Sequence, residues 1–173
     1  MTYTAFTQPG RAPVQDLARV IQPADIRHFP RFATLLDCVY ARVAPGALPS
    51  RGDIVPGDFK THLPYVFLLD VDSDENDRLL DVRVRLLGTE LVHHYGEVTG
   101  QSFKTYRDAG VRSRVFDQCQ KLLQTREPCA IEVKGISAEK WHVTVNVLYI
   151  PVSRDGRRID QAFGGMVFEL GDA

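Results

Sequence analysis

The sequence predicts an α+β fold, a sheet with helices packed on it, and three observations carry that expectation. Apolar residues recur at helical spacing as far as Val43, whereas after Pro64 they fall into short runs rich in β-branched residues. In one of these runs Val82, Val84 and Leu86 alternate with Asp81, Arg83 and Arg85, the pattern of a strand with one buried and one wetter face. Between the runs, Val111, Val115, Cys119, Leu122 and Leu123 form one stripe of a long helix, with Arg112, Arg114, Gln118 and Lys121 placed elsewhere around it.

Taken in order, the segment up to Gly10 has few apolar residues and holds the breaker pair Pro9-Gly10, so it reads as a tail. Val14, Leu17, Ala18 and Ile21 then repeat at helical spacing behind Pro13, which suits a first helical turn, and predict a short helix over Pro13 to Gln22. Phe32, Leu35, Leu36, Val39, Tyr40 and Val43 continue the same period over three turns, closed by Pro45-Gly46. Prolines and glycines recur from Gly46 to Pro64, predicting an ordered loop with one short helical turn around Asp58.

Tyr65 to Val71 and Leu80 to Leu87 flank a polar turn, Asp72 to Asp77, and predict a hairpin. Thr89 is placed to cap a short helix over Glu90 to Tyr95, which Gly96 stops, and Thr99-Gly100 makes a further turn. The long helix follows over Ala109 to Thr125. Three strands complete the chain: Cys129 to Lys134, Lys140 to Pro151, and about Ile159 to Leu170, paired antiparallel in sequence. Asp155-Gly156 favours a tight hairpin between the last two, although the polar residues around it allow a longer loop.

Composition narrows the function classes. A chain of 173 residues, 44% hydrophobic and 25% charged, has the size and apolar content of one globular domain. Lys+Arg 21 against Asp+Glu 22 leaves a net charge of -1, which removes any global pull toward nucleic acid or anionic membrane, and neither is expected as a partner. No apolar stretch reaches the roughly 18 residues of a membrane span, and Met1 to Phe6 lacks the layout of a secretory signal, so a cytoplasmic location is expected. Cys38, Cys119 and Cys129 are odd in number and lack CxxC spacing; they read as small buried apolar residues, with no metal site expected.

The run from Arg83 to Gly100, RVRLLGTELVHHYGEVTG, resembles the strand, Gly-Thr, Tyr-Gly, Thr-Gly passage of small stand-alone bacterial PAS-domain proteins. The resemblance extends over roughly Ala24 to Leu170, through the Leu69-Asp70-Val71 strand and the final Phe163-Gly164-Gly165 strand. It implies a PAS-like five-stranded antiparallel sheet covered on one face by helices. Residues 24–173 then form the domain, preceded by a tail and short helix over 1–23. It also implies a concavity between sheet and helices that holds a small molecule or cofactor, and a flanking N-terminal helix that dimerises or meets a signalling partner.

Two cofactor branches of that family are not expected. Flavin-cysteinyl photochemistry needs a cysteine in the stretch corresponding to Phe103 to Ala109, which contains none, and heme relatives supply a histidine from the long helix, where this chain has none. The cofactor, if one binds, is left unknown.

Candidate pocket residues are Tyr95 and His94, with His142, Thr144 and Asn146 on one parity of the penultimate strand. Trp141, Val143, Val145, Val147 and Tyr149 share the other parity, an apolar face that reads as core or dimer seam; parity alone does not say which face looks into the cavity. Adjacent His93 and His94 diverge by about 100° on a helix, so they do not converge on one metal. Candidate dimer or partner positions are Leu17, Ile21, Phe32, Leu36, Val39, Tyr40, Trp141 and Tyr149. Arg83, Arg85, Arg154, Arg157 and Arg158 alternate with Asp81, Asp155 and Asp160 and read as a solvated, neutralised face.

GxSxG, GxxxxGK[ST], HExxH and GxGxxG are all missing from the sequence, and no catalytic residues are assigned. The expected function is a non-catalytic regulatory module acting through protein–protein interaction as a homodimer, switched by a small ligand. It lacks any kinase, cyclase or DNA-binding output segment. One alternative is a dedicated small-molecule or cofactor sensor with an occupied cavity. The other is a small isomerase or hydratase, which requires a carboxyl group such as Asp70 near Tyr65 or Tyr95 in an enclosed pocket.

Overall fold

The computed structural model describes residues 18–135, 140 and 142–171. Its strands are β1 (Ala18–Ile21), β2 (Val66–Ser73), β3 (Leu79–Leu87), β4 (Cys129–Lys134), β5 (Val143–Val152) and β6 (Gln161–Leu170). The helices are α1 (Pro30–Tyr40), α2 (Thr89–Tyr95) and α3 (Ala109–Thr125), with 3-10 turns at Pro23–His28, Arg51–Asp53, Pro56–Tyr65 and Phe103–Thr105. All strands join one antiparallel sheet in the order β1-β4-β5-β6-β2-β3.

The sheet therefore has six strands where five were expected, because Ala18–Ile21 is a strand and not the end of a helix. Val20 and Ile21 are β-branched, and β4 would otherwise leave an edge of unpaired backbone groups; pairing Ile21 with Ala130 and Ala18 with Val133 satisfies that edge. The remainder of the expected helix, Pro13 to Leu17, lies outside the described residues.

A second correction concerns the layers. Helices cover both faces of the sheet, not one. Along β5, Val143, Val145, Val147 and Tyr149 join the core beneath α3, while Leu148, Ile150 and Val152 join a second core beneath α1. This strand is central and buried on both sides, which explains its near-continuous apolar run.

Pro30 opens α1 at its first turn, where its missing N–H costs nothing, and holds Phe29 extended. The helix ends at Tyr40, three residues before Val43, where a Val43 N–H to Tyr40 carbonyl bond tightens the exit. Phe32, Leu35 and Val39 are fully buried against β2, β5 and β6.

In the β2–β3 hairpin Asp74 closes the turn, its carboxylate accepting from the backbone N–H groups of Asn76 and Arg78. The alternation in β3 breaks before its end. A bulge lets Leu69 pair with Val84 and Leu68 with Leu86, so Arg85 is the extra residue and parity reverses after it. Leu87 thus joins Val82 and Val84 at the core, and Leu86 is 44% exposed.

Gly88, rather than Thr89, caps α2. Its backbone is ordinary extended chain (φ -63, ψ 157), so freedom to turn is not why glycine stands there. A Cβ at Gly88 would overlap the carbonyl oxygens of Leu63 and Pro64. The Asp108 carboxylate caps α3 by accepting from the Val111 N–H at 3.0 Å.

Candidate functional site

Between α3 and the sheet lies a cavity of about 60 Å³, room for a few water-sized groups. Its floor is built from β-strand parity: Phe67 of β2, Val145, Val147 and Tyr149 of β5, and Met166 of β6. Gly164 makes the floor possible, since a Cβ there would meet the Phe67 ring and the Leu148 carbonyl. Phe67 instead lies over that glycine and packs on Tyr149, ring centroids 5.3 Å apart.

The roof is α3, which contributes Val111, Arg114 and Val115, and Tyr95, Val98, Phe103 and Tyr106 from α2 and the segment after it complete the lining. That segment is tied down at two points. The Tyr106 hydroxyl donates to the Tyr95 carbonyl at 3.2 Å, and Arg112 Nη1 donates to the Tyr106 carbonyl at 2.6 Å.

Polar groups reach this apolar space in small number. Burial pushes the Tyr95 and Tyr149 phenols above their ordinary range, so both stay protonated and able to donate. Arg114, the one charged residue lining the cavity among the described residues, carries a buried Nη1 with no hydrogen-bond partner. Among the described residues, no Asp or Glu lines the cavity.

Of the expected pocket residues the structure brings only Tyr95 to the cavity wall. His94 stands outside it, stacked on Phe168 with centroids 4.0 Å apart and with Lys140 Nζ 3.2 Å from its Nδ1. Burial first, and the Lys140 ammonium second, hold its imidazole below the ordinary range. His93 is exposed, its ring edge-on to that of His94.

His142, Thr144 and Asn146 belong to the wrong parity. Thr144 and Asn146 share the β5 face of Leu148 and Ile150, which meets α1, His142 stands exposed just before the strand, and the apolar parity lines the cavity. Asn146 is fully buried there, with neither amide atom hydrogen-bonded.

The expected dimer positions are corrected in the same way. Phe32, Leu36 and Val39 are spent on the intramolecular core beneath α1, Tyr40 packs beside them, and Ile21 is buried in β1. Tyr149 is a cavity wall. Leu17 and Trp141 lie outside the described residues.

Asp70 points from the opposite face to the cavity-lining Phe67 and Leu69, and its carboxylate accepts from Gln161 Nε2. Tyr65 lies beneath the Arg31 guanidinium. The carboxyl group that an isomerase or hydratase site requires is thus not in this pocket. Among the described residues, no three His, Cys, Asp or Glu side chains gather as a metal set, and no helix is long and apolar enough to cross a membrane.

Arg114 and Gln118 were missed although the sequence carried a signal. They stand three and seven residues after Val111, inside the stripe and not beside it, and Gln118 is buried with its Oε1 accepting from the Cys129 thiol. Polar residues at apolar-stripe positions mark where a helix meets something other than packed hydrocarbon.

Residues 39–167 match the sequence profile of a family described as a PAS domain. No curated protein and no solved structure matches the chain.

Proposed function

The chain belongs to the PAS domain family, a family of signalling and sensor modules, and from that premise we propose that it is a non-catalytic regulatory module whose α3-side cavity admits a small ligand and whose surface meets a signalling protein. The cavity carries this reading: it is apolar, walled by α3 and five strands, and reached by few polar groups, the usual make-up of a small-molecule site. A ligand entering there alters how α3 seats on the sheet, and favouring one seating over another is how binding is communicated to a partner.

Homodimerisation in the cytoplasm and a single domain including β1 belong to the same proposal. The seam would not use Phe32, Leu36 or Val39, which the protomer's own core has taken.

Met166 supplies the test. The chain contains 2 methionines, and Met166 is the one among the described residues; it lines the cavity. In protein labelled at the methionine methyls, titration with small apolar molecules is expected to move the Met166 resonance in a saturable way. A resonance indifferent to every such molecule would end the ligand part of the reading. Light scattering at micromolar concentration tests the dimer, which a monomer mass would exclude.

A further inference from the structure

We propose that the cavity is a carboxylate site, in which Arg114 binds the anionic head of a small monocarboxylate whose apolar body lies against Phe67, Val147 and Met166. The inference rests on the cavity being a ligand site and adds the chemistry of the ligand.

The first observation is electrostatic. Arg114 Nη1 is buried and without a hydrogen-bond partner, although buried polar nitrogens in folded proteins nearly always have one. Removing part of a guanidinium from water is unfavourable unless an acceptor replaces the lost hydration. Among the described residues, no carboxylate lines the cavity to do so. Among the described residues no Asp or Glu forms an ion pair with Arg114, and the Asp108 carboxylate caps α3 instead, accepting from the Val111 N–H.

Geometry selects the kind of acceptor. Tyr95 and Tyr149 also line the cavity, and their phenols remain protonated, so the polar groups around Arg114 are able to donate. A set of donors around one guanidinium suits an anion with two oxygens, which the planar fork of arginine matches in pairs. The remaining wall is hydrocarbon, which disfavours a fully hydrated inorganic anion. A volume of about 60 Å³ restricts the organic body to a few carbons. Short branched-chain acids meet all three conditions.

The experiment compares isobutyrate and isovalerate with isobutyramide and isovaleramide, which have the same shape without the charge, and reads the Met166 methyl resonance. The proposal expects saturable shifts with the acids at least tenfold tighter than with the amides. It expects Arg114→Met to abolish that preference and Arg114→Lys to keep part of it. Circular dichroism establishes that each variant is folded. Because Met removes a buried nitrogen that lacks a hydrogen-bond partner, Arg114→Met is also expected to raise the melting temperature of the ligand-free protein.

Acids and amides binding alike, or Arg114→Met retaining the acid preference, would overturn the carboxylate assignment and leave the cavity reading in place. Shifts with none of the four compounds would overturn the carboxylate assignment, and the cavity reading would then be decided by the apolar titration. Shifts produced equally by chloride or phosphate would show a general anion site and reject the monocarboxylate.

Discussion

Arg31 Nη1 donates to the Met166 carbonyl at 2.6 Å, so the helix on one face of the sheet holds the strand residue whose side chain lines the cavity on the other. Arg31 also lies over the Tyr65 ring, 3.8 Å from its centroid, and its Nε reaches His62 Nδ1. One side chain therefore joins α1, the segment before β2, and β6.

Arg31→Ala removes a charge-assisted hydrogen bond and a cation–π contact, and is expected to cost roughly 2–3 kcal/mol in denaturant unfolding. The Met166 methyl resonance is expected to move in the same variant. An unmoved resonance would show that the two faces are mechanically independent.

Gly88→Ala places a Cβ against the carbonyl oxygens of Leu63 and Pro64, which are backbone and cannot swing aside. The expected loss is about 2–3 kcal/mol. Gly57→Ala, where a Cβ meets nothing within 4 Å, is the control and should stay within about 0.5 kcal/mol of the parent. Equal unfolding midpoints for the two variants would refute the close approach.

Phe32→Ala separates core from interface. With Phe32 fully buried under α1, truncation is expected to cost about 3–5 kcal/mol of folding stability. A dimer-seam residue would instead leave protomer stability nearly unchanged and weaken association. Unfolding and light scattering on one sample distinguish the two.

His94 gives the fold a pH dependence whose sign follows from its lowered pKa. The folded protein keeps the imidazole neutral, whereas the unfolded chain takes up a proton near the ordinary value of about 6.5. Stability is therefore complete above that pH and declines as the pH falls through it, until the folded form protonates as well. His62, lowered by burial and by Arg31, acts in the same direction. Unfolding at pH 7.5 and about 5.5 should show a smaller acid loss in His94→Gln than in the parent, and a smaller one still with His62→Gln added. An unchanged slope in both variants would place the acid sensitivity elsewhere.

Thiol accessibility distinguishes the cysteines. Cys119 and Cys129 are buried, and burial pushes the Cys129 thiol up to about 12 and that of Cys119 higher. Cys38 is half-buried, its thiol also raised. A disulfide reagent at neutral pH is expected to titrate one thiol slowly in the native protein and three after denaturation. Rapid reaction of a second thiol in the native state would contradict the packing of α3 on β4.

Much of the chain's local order was legible without its structure. Alternation marked β3 and β5, the stripe from Val111 to Leu123 marked α3 with its observed bounds, and the passage from Gly88 to Gly100 pointed to the family. These signals depend on each residue's near neighbours in sequence, which periodicity records directly. Parity separated the two faces of β5 correctly but could not tell which one lined the cavity, because both are covered and helices of opposite layers leave similar apolar patterns.

Tertiary structure alone decided the rest. The expected helix gave way to a strand at Ala18–Ile21 because β4 needed a partner along its edge, and the apolar face of α1 that suggested a dimer turned inward onto its own sheet. Arg114 shows the same limit at the site. Its place in the stripe was written in the sequence, but an arginine there becomes an anion receptor only when the elements around it supply hydrocarbon and phenols, and that inventory is assembled from residues up to about fifty positions away by long-range packing.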